Sequence, residues 1–200
     1  LVVNLVMGVL TTLRPWKVLN QVGFLITLGI AGGYVLLHAN DTQQDQIALL
    51  VVLHSLLFIW LAFRFSQLLR KQDLHGFSLQ PSLDLGLLFG APLLAYACLY
   101  LIYFEQTMMQ AGLSAGYAVL YAVLYVLAKQ QQQMGWIKQS YLALSLIFAA
   151  FIPAIILPAE WGVMGWAILG IAMLVIALKR ESEIGRYIAM ALLAIAGGVA

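Results

Sequence analysis

Charge is what this chain has least of. Only 9% of its 200 residues are Asp, Glu, Lys or Arg, where a soluble domain carries roughly 25%. With 64% apolar residues, a water-exposed fold would have no surface left to cover its core. Cysteine is nearly missing too. Cys98 stands alone in an apolar stretch, which excludes an intrachain disulfide and a cysteine metal site. The chain has no HExxH, no P-loop, no dependable Ser-His-Asp order and no cluster of carboxylates within one apolar run. Proton-coupled carriers generally need buried Asp or Glu, so their scarcity argues against a pump. Nothing in the sequence calls for a cofactor or a metal.

What the chain does have is a succession of long apolar runs. A membrane span takes roughly 20 apolar residues. The runs are approximately Leu1–Leu13, Val18–Leu37, Ile47–Phe63, Leu83–Phe104, Ala111–Ala128, Tyr141–Leu157, Gly162–Leu178 and Tyr187–Ala200. They lack the period-two alternation of barrel strands, and lipid-facing backbone must satisfy its own polar groups, so they are helices. The gaps are short, which favours antiparallel neighbours. The expected fold is all-α: a polytopic transmembrane helix bundle of about eight spans in antiparallel hairpins, with no soluble domain. The chain opens inside one apolar run and closes inside another, as expected of a stretch cut from a longer membrane protein.

The cations are confined to alternate gaps. Arg14 and Lys17 follow the first run; Arg64, Arg70 and Lys71 the third; Lys129 and Lys138 the fifth; Lys179, Arg180 and Arg186 the seventh. The gaps after runs two, four and six hold only Asp41, Asp45, Glu105 and Glu160. Cationic loops stay in the cytoplasm during insertion. The pattern therefore sets a topology, with the gaps after spans one, three, five and seven cytoplasmic in a bacterial inner membrane. Ten cations against Asp73, Asp84, Glu181 and Glu183 leave +6 on the inner side, and the outer side carries −4. Orientation and anionic headgroups explain this charge without nucleic acid. The expected partners are membrane lipid, the remaining spans of a longer parent and other membrane proteins. In the longest inner gap, Arg64–Ser82, Leu68, Leu69 and Leu74 with Arg70 and Lys71 fit either a short surface helix or a plain linker.

Several constellations lie within the runs. Gly29 with Gly33, and Gly86 with Gly90, are GxxxG pairs that permit close helix approach in lipid. Ser114, Ala118 and Ala122 make a small-residue stripe, beside which Tyr117, Tyr121 and Tyr125 run at the same spacing. Those tyrosines either pack between helices, each hydroxyl on a carbonyl, or line a polar pathway. Pro92 and Pro153 fall inside the fourth and sixth runs and tend to kink them. Transporters use broken helices to build midplane sites, but these two runs point the same way and so are not an inverted pair. His54 is the one titratable group near the middle of a run, with Ser55 beside it. Its expected role is structural: it faces the bundle and bonds to a hydroxyl, amide or carbonyl of another helix.

The order of motifs resembles the bacterial multi-spanning membrane protein family known as domain of unknown function 2339. Arg14-Pro15-Trp16, then Leu19-Asn20, Gly23-Phe24 and Thr27, look like that family's hairpin between two spans. Leu85 to Pro92, LGLLFGAP, looks like its FG-x-P segment, and Phe148 to Gly170 like its most recognisable part, with Pro153, Trp161 and Trp166-Ala167. The family's usual WALEG stands here as WAILG, with Leu169 in place of the glutamate, so that carboxylate's role does not carry over. The resemblance implies a longer parent with more spans and a cytoplasmic N-terminal segment. It implies no reaction, since none is assigned to the family.

Three functions compete on the sequence alone. The first is a non-enzymatic structural or assembly component. The second is a transporter or channel for a small solute, built around His54, the tyrosine stripe and the two prolines. The third is a membrane enzyme on lipid-linked glycans, which needs Asp41, Asp45, Glu105 or Glu160 in one cleft and cations there to bind phosphate; the outer gaps have no Lys or Arg.

Overall fold

The computed structural model describes residues 2–13, 17–38, 43–71, 81–129, 135–179 and 183–199. They form eight helices: α1 (Val2–Leu13), α2 (Lys17–His38), α3 (Gln44–Lys71), α4 (Pro81–Ile102), α5 (Thr107–Lys129), α6 (Gly135–Ile156), α7 (Ala159–Lys179) and α8 (Glu183–Val199), with no strand among the described residues. Among the described residues, five stretches are long and apolar enough to cross a bilayer: Gln21–His38, Gln44–Arg64, Thr107–Ala128, Ile137–Ile156 and Trp161–Lys179. The apolar parts of α4 (Leu87–Ile102) and α8 (Gly185–Gly198) are shorter.

The helix ends follow from local sequence. Pro81 opens α4, where its missing N–H would have been unpaired in any case. α3 has 28 residues and runs about 42 Å at ~1.5 Å per residue, more than the roughly 30 Å of a bilayer core. No Gly or Pro follows Arg64 until Gly76, so the helix continues through Lys71. Leu68–Lys71 is therefore the tail of α3, neither a separate surface helix nor a linker; Leu74 lies outside the described residues. Between α6 and α7 only Leu157 and Pro158 are non-helical. Pro158 cannot donate a backbone bond, and its carbonyl accepts from Gly162 N–H at 2.9 Å as α7 begins.

The chain divides into two compact units, Leu1–Phe104 and Glu105–Ala200. In the first, α3 and α2 both pack on α4, and α1 leans on α3. Its core is Phe58, Leu61 and Ala91, closed by Phe24, Leu57 and Leu87. Phe24 meets Phe58 edge to face at 5.2 Å, a preferred aromatic geometry. In the second, α5–α6 and α7–α8 are tight hairpins joined by α6–α7 contacts. Large apolar side chains such as Ile30, Val119 and Ile168 are exposed. A soluble protein would not tolerate such outward faces; lipid accepts them.

Candidate functional site

His54 is ten residues after Gln44, where α3 begins, so it lies about 15 Å along that helix at ~1.5 Å per residue. It lines a cleft of about 50 Å³ among α2, α3 and α4, with Thr27, Ser55, Phe58, Leu94 and Cys98. The lining is almost wholly apolar. His54 Nδ1 lies 2.7 Å from the Leu50 carbonyl oxygen. A carbonyl only accepts, so Nδ1 is the donor, and the tautomer follows. The bond stays within α3, one turn back, and not on another helix as the sequence suggested. The Leu50 carbonyl lies one turn back on the same face of α3, within reach of the ring without a partner from another helix.

Around this cleft the first unit is tied together by polar contacts at two levels. Asn4 Nδ2 of α1 donates to Thr27 Oγ1 of α2 at 2.8 Å. Just past the end of α4, the Tyr103 hydroxyl donates to Asp45 Oδ1 in the first turn of α3 at 2.9 Å. Asp45 is thus engaged in holding two helix ends together. Asp41 and the Glu160 side chain lie outside the described residues.

In the second unit the serine–tyrosine stripe is an interface. Ser114 Oγ of α5 donates to the Phe148 carbonyl of α6 at 2.7 Å, and Ser145 Oγ of α6 donates back to the Ala118 carbonyl of α5 at 2.9 Å. Tyr117, Tyr121 and Phe148 are buried; Phe148 stacks with Tyr117 at 4.9 Å and with Tyr121 at 6.1 Å. Tyr125 is half-buried and Ala122 is exposed. Small residues thus let the two backbones close at Ser114 and Ala118, and the rings fill the space alongside.

The two prolines differ in surroundings. Pro92 is buried in α4. Pro153 packs against α7: an added Cβ at Gly165 would lie 2.9 Å from Pro153 Cβ, and one at Gly162 would touch Ala154 Cα and the Pro153 carbonyl oxygen at 3.6 Å. Trp166 Nε1, beside Gly165, donates to the Ala150 carbonyl at 2.7 Å. An added Cβ at Gly170 would lie as close to Leu193 of α8, at 2.8 Å from its Cγ.

Gly162, Gly165 and Gly170 escaped the sequence reading because none belongs to a GxxxG pair. The usable signal was hairpin register: residues equidistant from the Leu157–Pro158 link oppose one another, which sets Gly162 against Pro153, with Gly165 about one turn further along α7. Among the GxxxG pairs, an added Cβ at Gly90 would touch the Phe24 ring at 3.6 Å, whereas one at Gly29 or Gly33 would meet nothing within 4 Å. The close approach expected of Gly29 and Gly33 is thus not among the described contacts; α2 reaches α4 through Phe24 instead. The environment of Gly86 lies outside the described residues.

The cations sit at helix ends. Lys17 opens α2, Arg70 and Lys71 close α3, Lys129 closes α5 and Lys179 closes α7; Arg64 lies where the apolar part of α3 stops. Lys138 and Arg186 lie in the first turns of α6 and α8. Arg14 and Arg180 lie outside the described residues. Among the described residues, no three His, Cys, Asp or Glu side chains converge as metal ligands would.

Apolar outward faces, helices long enough to cross a bilayer and polar side chains spent on interhelical bonds define a multi-pass α-helical membrane protein. The chain belongs to the family described as "Predicted membrane protein (DUF2339)", whose family model matches residues 1–200. No curated protein and no solved structure matches it.

Proposed function

We propose that this chain is part of a structural or assembly component of a bacterial inner membrane, with about eight spans and its basic gaps in the cytoplasm. The observation that carries this reading is where the intramembrane polar groups go. The side chains of Asn4, Ser114, Ser145 and Trp166 each donate to a neighbouring helix, at 2.7 to 2.9 Å. In lipid such bonds replace part of the missing hydrophobic drive between helices. Polar groups engaged in this way hold a bundle together and are not free to receive a solute. The sidedness rests on the alternation of Lys and Arg along the sequence.

A transporter is the second reading, favoured by the cleft at His54. Its apolar lining and small volume suit a packing defect better than a solute path. The test is the behaviour of the full-length protein in mild detergent. An assembly component migrates as a larger complex on native gels, and loosening the bundle with Gly165→Ala lowers protein and complex together. A monomer at unchanged abundance, in parent and variant alike, contradicts the assembly reading.

A further inference from the structure

Arg186 differs from the cations that only mark helix ends. It lies in the first turn of α8 and is half-buried. Its Nε is shut off from solvent and has no hydrogen-bond partner among the described residues. An N–H of a charged group hidden from both water and an acceptor is costly. Setting the orientation does not require that burial, since a cation on an open surface serves as well. The location is a membrane boundary. Lys179 ends the membrane-length stretch of α7 and is exposed. Only residues 180–182 separate α7 from α8, so both cations stand at the same end of this hairpin. Tyr187, next to Arg186, is also exposed, and such rings suit the headgroup zone.

We propose that Arg186 and Lys179 hold the phosphate of an anionic lipid headgroup, with Arg186 Nε donating to a phosphate oxygen. The guanidinium fork matches a phosphate with two parallel N–H bonds, and the ammonium adds a point charge. Anionic headgroups lie at this depth. Val175, Ile176, Leu178 and Met190 are exposed on the same two helices and give the acyl chains an apolar surface. Glu183, one turn before Arg186 in sequence, is the competing acceptor. The inference holds whether the protein is a scaffold or a transporter, because it rests only on the membrane location of the hairpin.

The test uses the full-length protein, purified with phosphatidylcholine and titrated with phosphatidylglycerol. Bound lipid is read by native mass spectrometry and stability by the thermal midpoint. The parent retains phosphatidylglycerol over phosphatidylcholine. Arg186→Gln weakens that retention about tenfold, the worth of one charge-assisted bond. Arg186→Lys, which keeps the charge and loses the fork, weakens it several-fold and carries the test if the glutamine variant does not accumulate. Inorganic phosphate at equal concentration leaves the midpoint unchanged. Equal retention by parent and either variant overturns the proposal. So does a midpoint shift with inorganic phosphate as large as that with the lipid. So does Glu183→Gln destabilising the protein in phosphatidylcholine as much as Arg186→Gln, which would assign the Nε to that carboxylate.

Discussion

The Pro153 ring occupies the space that a side chain at position 165 would need: a Cβ built on Gly165 lies 2.9 Å from Pro153 Cβ and 3.3 Å from its Cγ. Pro153 has no N–H to give the preceding turn of α6, and its ring packs straight onto the α7 backbone. Gly165→Ala should therefore destabilise the full-length protein by about 1–3 kcal/mol through overpacking. Gly29→Ala, where an added Cβ meets nothing within 4 Å, should be neutral. Thermal unfolding in detergent separates the two. Equal midpoints for both variants would mean that the α6–α7 contact is not tight.

Gly90 is an intermediate case. Its added Cβ would touch the Phe24 ring at 3.6 Å, an ordinary contact. Gly90→Ala is expected to fold and melt like the parent. Gly90→Leu has to displace Phe24 from its edge-to-face pairing with Phe58 and should lose about 1–3 kcal/mol. A leucine variant as stable as the parent would show that α2 and α4 separate without cost.

Ser114 and Ser145 tie α5 and α6 in both directions, each donating to a carbonyl of the other helix. Replacing either with alanine should cost about 0.6 kcal/mol, the mean for interhelical bonds in membranes, and no more than ~1.7. The same range applies to Trp166→Phe, which keeps most of the ring and loses the N–H bonded to Ala150. Denaturant titration of the three variants checks this. No measurable loss in all three would show that these bonds contribute nothing to the hold between helices.

Much of the fold was legible because lipid imposes a simple rule. A run such as Tyr141–Leu157 has to be a helix, and charges such as Lys138 mark where it meets water. Boundaries shifted where that rule weakens. α5 begins at Thr107 rather than Ala111, because Thr107–Gln110 hold no helix breaker, and α3 runs on to Lys71 for the same reason. Glycine spacing was the poorer guide. GxxxG reports that a helix face can be approached, and Gly29 and Gly33 satisfy it with no described neighbour at hand. Close approach at Gly165 depends instead on a proline ring 12 residues earlier in the chain, which no single-helix pattern contains. His54 was visible as a polar group at depth, but its bond to Leu50 depends on its rotamer, which sequence does not encode.

Orientation is open to a direct check. In a Cys98→Ser background, single cysteines at Gln43, Gln106 and Trp161 should react with an impermeant thiol reagent from the periplasmic side of spheroplasts. Cysteines at Gln67, Gln132 and Ser182 should not. Labelling of the second set would overturn the proposed topology.

Whether the intramembrane polar groups serve packing or a pathway is decided most directly at His54. The measurement is solute and proton flux through liposomes carrying the full-length protein, parent against His54→Gln, with thermal stability recorded on the same samples. A structural role predicts flux no greater than through empty liposomes, a modest loss of stability in the variant and no pH-dependent difference between the two. A reproducible flux in the parent, abolished by His54→Gln while expression and melting stay unchanged, would contradict the structural role and identify the cleft between α2, α3 and α4 as part of a transport route.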